Sequence, residues 1–421
     1  MPRTVNAGTN ALACFALLFH TGCGADSAAP VTAAPGAGAT AEATPKRRVA
    51  SNAEPGVSVE QAEQFAAALG SAIERRDPAA ANRLINWGVI LDRSVSGLSI
   101  PKKEMPNVRS GFMSSVGSQG LIVQLIQSLG EGGSYRLVRI HQRDGKRRAL
   151  FRMVSQAGAN YHDYELENTA GQTRAVNLYV YLSGEDITQT FRRSFIPLSQ
   201  QLSRNFLQNL TLGETAFVKH IDDVLKMQQQ LGAGAFQQSL ATYRSLPKEL
   251  QEDKNMLLLR YQAANGLVGQ DPSELLAATK EFKRLYPDDA CIDFLQLDSL
   301  LINEEYDEAL AALGRFEKSV GGDAYLEVLR ANVLLSKGDG AEAVLAARRA
   351  VEGAPDLSDT QYTLIGLGIQ LDDYQAVYDG LSGLEQDCLV AYENLRAETQ
   401  FAGFLKSELG KKWLSEHGMD E

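Results

Sequence analysis

The chain has 421 residues, with 41 Lys and Arg against 52 Asp and Glu, a formal net charge of −11, and 44% apolar residues. That balance belongs to a globular protein with enough apolar side chains for a sizeable core, in roughly two or three domains of about 150 residues. Four cysteines are too few for a disulfide scaffold. No apolar run reaches the roughly 18 residues of a bilayer span, and an acidic chain makes a poor nucleic-acid binder.

Arg3 gives a short positive start, and Ala11–Phe19 is an apolar stretch that exits through His20-Thr21-Gly22-Cys23. A basic start, a short apolar segment and a small-residue exit form a secretory signal. The Gly22-Cys23 ending resembles a bacterial lipoprotein signal, although His20 stands where an aliphatic residue is usual. The resemblance implies that the signal, residues 1–23, is cut before Cys23, with lipidation of that thiol and attachment to a membrane surface by acyl chains. Residues 24–57 are mostly Ala, Pro, Gly, Thr and Ser, a composition expected to stay unfolded as a tether. Lys46-Arg47-Arg48 is either solvated or in touch with anionic headgroups.

Residues 58–200 read as a compact α+β domain. Ser58 and Gln61 have the spacing of a capping box. Phe65, Leu69, Ala72 and Ile73 then recur at helical period. Asp77-Pro78 stops this helix and caps the next, which carries Leu84, Ile85, Val89 and Ile90. Phe112–Leu129 predicts one further helical region. After Gly130 the period falls to two. Strands are expected at Tyr135–Gln142, Arg148–Ser155, Asn160–Asn168 and Arg174–Leu182, with Asp144-Gly145 and Ala170-Gly171 as turns. Four consecutive strands with short links imply an antiparallel meander packed on the preceding helices.

Helices followed by a curved antiparallel sheet resemble the nuclear-transport-factor-2-like cone fold. That resemblance implies a pocket between sheet and helices, catalytic in some members and non-catalytic in many. His162 and Asp163 are neighbours on a strand, so they point to opposite faces and form no dyad with each other. His162 is either a structural histidine or the partner of a residue elsewhere, such as His141 across the sheet. Arg136, Arg139, Arg143, Lys146, Arg147, Arg148 and Arg152 make the first hairpin strongly basic. This is either a grip for an anionic ligand or a charge-protected edge.

Residues 201–421 show a period of 34. Ala309 and Ala343 are one period apart; Pro287 and Pro355, like Tyr306 and Tyr374, are two. The clearest unit is Ala324–Leu357, with Ala331 in its first helix, Gly338-Asp339-Gly340 as turn, Ala343, Ala347 and Ala350 in its second helix, and Pro355 closing it. This pattern resembles the tetratricopeptide repeat, and looser units occupy 256–289, 290–323 and 358–391. Tyr392–His417 is amphipathic, and reads either as a cap on the last apolar face or as a partner-binding helix.

The fold expected is therefore mixed: an α+β domain with a four-stranded antiparallel sheet, then an all-α helical repeat array with a terminal cap. The repeat resemblance implies a protein- or peptide-binding concave face that carries Arg260, Asp298, Asn332 and Tyr362, with Asn332 suited to bond a peptide backbone. Residues 201–421 hold 20 basic and 36 acidic residues, net −16, whereas 58–200 hold 17 and 13, net +4. Opposite signs favour a basic partner, docking between the two segments, or simple solvation of an acidic surface. Nucleotide-binding glycine loops, HExxH, CxxC and GxSxG are missing from the sequence. No cofactor or metal is called for, and Cys291 and Cys388 are expected as buried free thiols. The leading expectation is an exported, lipid-anchored, non-catalytic adaptor that binds a protein partner and no nucleic acid. The alternatives are a small-molecule or catalytic pocket in 58–200, and a structural envelope component.

Overall fold

The computed structural model describes residues 56–118, 120–130, 132–155, 158–202, 211–391 and 395–419. The proposed signal, Cys23 and most of the tether lie outside them. The α+β segment opens with α1 (Val59–Glu74), α2 (Pro78–Arg83) and α3 (Trp87–Ser94). Ser58 and Gln61 form the expected reciprocal capping box, and Asp77 caps α2 with Pro78 in its first turn.

The single helical region expected at Phe112–Leu129 is instead two helices, α4 (Met105–Ser118) and α5 (Leu121–Leu129). Gly120 caps α5, and a Cβ there would come within 2.4 Å of the Val116 carbonyl oxygen. The chain reverses too tightly at this point for any other residue.

Strands β1 (Ser134–Arg143), β2 (Lys146–Ser155), β3 (Gly158–Thr169) and β4 (Gln172–Val180) form the predicted meander. Asp144-Gly145 and Ala170-Gly171 all take positive φ, as two-residue hairpin turns require. The four-stranded expectation needs correcting: a fifth strand, β5 (Glu185–Asp186), pairs with Tyr179 and Val180. Two residues are too few to show a period. α6 (Ile187–Leu202) follows.

The helical segment comprises α7 (Leu212–Lys219), α8 (Ile221–Gly232), α9 (Phe236–Ser245), α10 (Lys248–Gln251), α11 (Lys254–Asn265) and α12 (Ser273–Leu285). It continues with α13 (Ala290–Leu295), α14 (Leu297–Ile302), α15 (Tyr306–Val320), α16 (Tyr325–Lys337), α17 (Gly340–Gly353), α18 (Ser358–Gln370) and α19 (Tyr374–Gln386). From α11 onward these helices alternate as first and second members of pairs. Ala263, Leu297, Ala331 and Ile365, at equivalent positions in the first helices, are all buried, as are Leu275, Ala309, Ala343 and Val377 in the second. Glu304, Gly338 and Asp372, spaced by 34, each take a left-handed φ at the turn inside a pair. The first helix of the 290–323 unit is broken at Gln296 into α13 and α14.

Both faces of β2 and β3 are buried. Tyr135, Phe151 and Tyr164 pack one face against Phe65, Leu69 and Ile73 of α1. The other face meets the helical segment: Leu150, Tyr161 and Tyr181 share a cluster with Phe316, Val320 and Leu326. Val154 and Ala159 share another with Tyr325, Val328 and Leu357. Within this seam the Asp323 carboxylate accepts Arg152 Nη1 at 2.5 Å and the Tyr161 hydroxyl at 2.7 Å. Nearby, Cys291 Sγ donates to the Leu182 carbonyl at 3.3 Å. Cys291 is a buried free thiol as expected, whereas Cys388 is free but only partly buried.

The amphipathic C-terminus is not one helix. It is divided into 3-10 turns at Leu395–Ala397 and Thr399–Phe401, α20 (Ala402–Lys406) and α21 (Glu408–Glu416). Ser407 starts α21 by accepting from the Gly410 N–H, and that extended residue ends α20. Phe401, Phe404 and Trp413 nevertheless cover Ile365, Val377 and Leu381 of the last pair, the packing expected of a cap.

His417 fastens this cap, stacked on Trp413, with Nδ1 2.7 Å from the Trp413 carbonyl and Nε2 2.8 Å from Glu385. Only the imidazolium can donate from both nitrogens. Burial opposes its charge, but these two bonds outweigh it and raise its pKa. The cap's extra stability is thus fully present below the unfolded value of about 6.5 and is lost as pH rises through the folded value. His417→Gln should lower the thermal midpoint more at pH 6 than at pH 8.5; an equal loss at both would contradict the latch.

Candidate functional site

His162 and His141 are not brought together. His162 points to the α1 side of the sheet, between Tyr135 and Asn160. Asn160 Oδ1 already accepts the backbone N–H groups of Tyr161 and Leu182 at 2.7 and 3.2 Å. Its amide nitrogen therefore donates to His162 Nε2, and the His162 proton sits on Nδ1, facing the Tyr135 hydroxyl at 3.1 Å. Burial lowers the His162 pKa to about 4. It is a neutral core histidine with both nitrogens satisfied.

His141 lies on the opposite face, with Nε2 2.9 Å from Asp163 Oδ1. Asp163 is fully buried, and Arg148 holds its other oxygen through Nε at 2.7 Å. A histidine–carboxylate pair therefore exists, built from residues 22 apart in sequence. The apolar crevice between sheet and helices, lined by Trp87, Ile90, Ile122 and Leu178, leaves no room for a water molecule. An open depression of about 620 Å³ beside Val57, Lys146 and Arg147 has its Lys146 cation bonded to Glu167 at 2.9 Å.

The basic hairpin is neither a free anion grip nor a merely solvated edge. Arg148 is bound to Asp163, Arg152 to Asp323 and Arg136 to Asp356. Arg147 donates to the Val57 carbonyl and Arg139 to that of Ser319. Much of its charge holds the sheet to itself and to the helices.

The four proposed groove residues have different fates. Arg260 is bonded to Glu274 at 2.9 Å and lies over the Tyr243 ring, so it braces the helices. The first turns of α13 and α16 are covered by the sheet, through Cys291, Tyr325 and Val328. The face opens one turn later, where Asp298 and Asn332 occupy equivalent positions of successive units and both are partly exposed. Tyr362, beyond the sheet, is 42% exposed.

Asp298 has no hydrogen-bond donor or cation in contact among the described residues, and burial pushes its carboxyl up to about 7. The Asn332 amide nitrogen is buried and has no partner among the described residues. Among the described residues no group of three metal-ligating side chains occurs, and no helix is long and apolar enough to cross a membrane.

Sequence reasoning missed the Asp323 seam. The available signal was the apolar content of both faces of β2 and β3, as in Leu150-Phe151 and Tyr161 with Tyr164; such strands are covered on both sides.

No family model, curated protein or solved structure matches the chain.

Because the folded carboxyl of Asp298 titrates near 7, above the unfolded value of about 3.9, its contribution is complete below pH 4 and lost as pH rises through 7. Asp298→Asn should therefore gain on the wild type from pH 4 to pH 7, reaching about 1–3 kcal/mol at pH 8 after allowance for solvent screening. Urea titrations at pH 4 and pH 8 check this; a pH-independent difference would mean that burial does not raise the Asp298 carboxyl.

Proposed function

We propose that the chain is a non-catalytic adaptor, anchored at a membrane through Cys23, that captures a protein or peptide partner on the open part of its helical face. In this reading the pairs from α11 to α19 are tetratricopeptide-type units and the first domain is a cone-type accessory domain. The carrying observation is the pair of unpartnered side chains, Asp298 and Asn332, at equivalent positions of consecutive units. An unpaired, largely buried polar group costs about 1–3 kcal/mol; at Asp298, which stays partly open to solvent, a bound ligand would remove that cost. Anchoring rests on the N-terminal sequence alone. The His141–Asp163 pair favours a second reading, a small-molecule site on the sheet, in which His141→Ala abolishes ligand binding.

The first experiment is a pull-down from membrane extract with the full chain as bait, because the sheet and helices share a core. The adaptor reading expects a protein retained by the wild type and reduced at least tenfold by Asn332→Ala or Tyr362→Ala. Equal retention by all three, or none by any, overturns it.

A further inference from the structure

We propose, resting on the adaptor reading, that this face receives a lysine or arginine side chain of the partner at Asp298, while the Asn332 side-chain oxygen accepts an N–H of the adjoining peptide backbone. A half-buried carboxylate without a counter-charge is a preformed cation receptor: its desolvation has already occurred, so an incoming ammonium or guanidinium meets an anion that water screens poorly. Internal cations do not fill the role. Arg315 is held by Asp293 and Glu308, Lys283 by Glu308 and Arg260 by Glu274. An acidic partner side chain would find no counter-charge at Asp298 or Asn332.

The surroundings suit a long cationic side chain and an extended backbone. Ile302, one turn beyond Asp298, is 40% exposed and offers apolar surface for an aliphatic stem. Gly366 occupies the position of Asp298 and Asn332 in the next unit, and a Cβ there would meet nothing within 4 Å. The backbone of a bound peptide has space at that point, beside the Tyr362 ring. The net charge of −16 over residues 201–421 attracts a basic segment to the helical part of the chain. The chain's own Lys46-Arg47-Arg48 shares that chemistry, and the test separates it from a partner.

An array of nine-residue peptides with varied flanks, each printed with a central arginine and with its neutral isostere citrulline, is probed with the full chain. Arginine members should bind at least tenfold more strongly than their citrulline twins. Asp298→Asn, checked for an unchanged circular dichroism spectrum, should erase that preference. Asn332→Ala should weaken both twins alike. A preference that survives Asp298→Asn, binding without preference, or no binding to any peptide overturns the proposal. Binding that emerges only after Lys46, Arg47 and Arg48 are changed to Gln assigns the site to the chain's own tether and overturns the partner assignment. If the pull-down still depends on Asn332 while the array fails, the adaptor reading stands and the cation site alone falls; if both fail, both fall.

Discussion

A carboxylate at the seam between sheet and helices has to be fully served or it would not be there. Asp323 lies between α15 and α16 with its side chain 6% exposed; one oxygen accepts from Arg152 and the Tyr325 backbone N–H, the other from the Tyr161 hydroxyl. Arg152 is itself 5% exposed and rests near the Tyr325 ring. A buried ion pair adds little net stability compared with apolar packing, but removing one partner strands the other. The arrangement therefore specifies orientation: this strand face must meet this turn between helices. The apolar clusters around Phe316 and Tyr325 supply the attraction, and the charged pair selects the register.

This constraint shapes the candidate binding face. Helical pairs in succession offer a row of side chains from their first helices. Here the sheet covers the early turns of α13 and α16, and the open surface starts only at Asp298 and Asn332. Tyr362, beyond the sheet, remains partly exposed. The same docking accounts for Arg152 and Arg139 of the hairpin, which reach Asp323 and the Ser319 carbonyl. The opposite net charges of the two segments are partly expressed as contacts within the molecule.

Local chemistry was legible in the sequence wherever its cause is local. Ser58 with Gln61, Asp77-Pro78 and Asp144-Gly145 act within four residues, and each takes its expected form. The period of 34 was readable because every pair needs small or apolar residues at the same buried positions. Glu304 and Asp372 hid the matching turn, since only Gly338 of the three announces a left-handed backbone. The break at Ser407 depends on a single cap inside an amphipathic run, and β5 is too short for a pattern. The site was readable only in part. Position alone assigned Arg260, Asp298, Asn332 and Tyr362 to one face, but it could not show that Arg260 finds Glu274 or that the sheet covers the neighbouring turns. Those facts depend on partners brought together by tertiary packing; Tyr161 and Asp323 are 162 residues apart.

The sheet and the helical pairs form one cooperative unit tied at Asp323. Urea unfolding of the wild type and Asp323→Ala, followed by both tyrosine fluorescence and far-ultraviolet circular dichroism, tests it most directly. Coincident transitions are expected in the wild type, with a loss of about 3–5 kcal/mol in the variant, the cost of leaving Arg152 buried without its partner. Two separate transitions in the wild type, or a loss below about 1 kcal/mol, the range of an exposed ion pair, would contradict it.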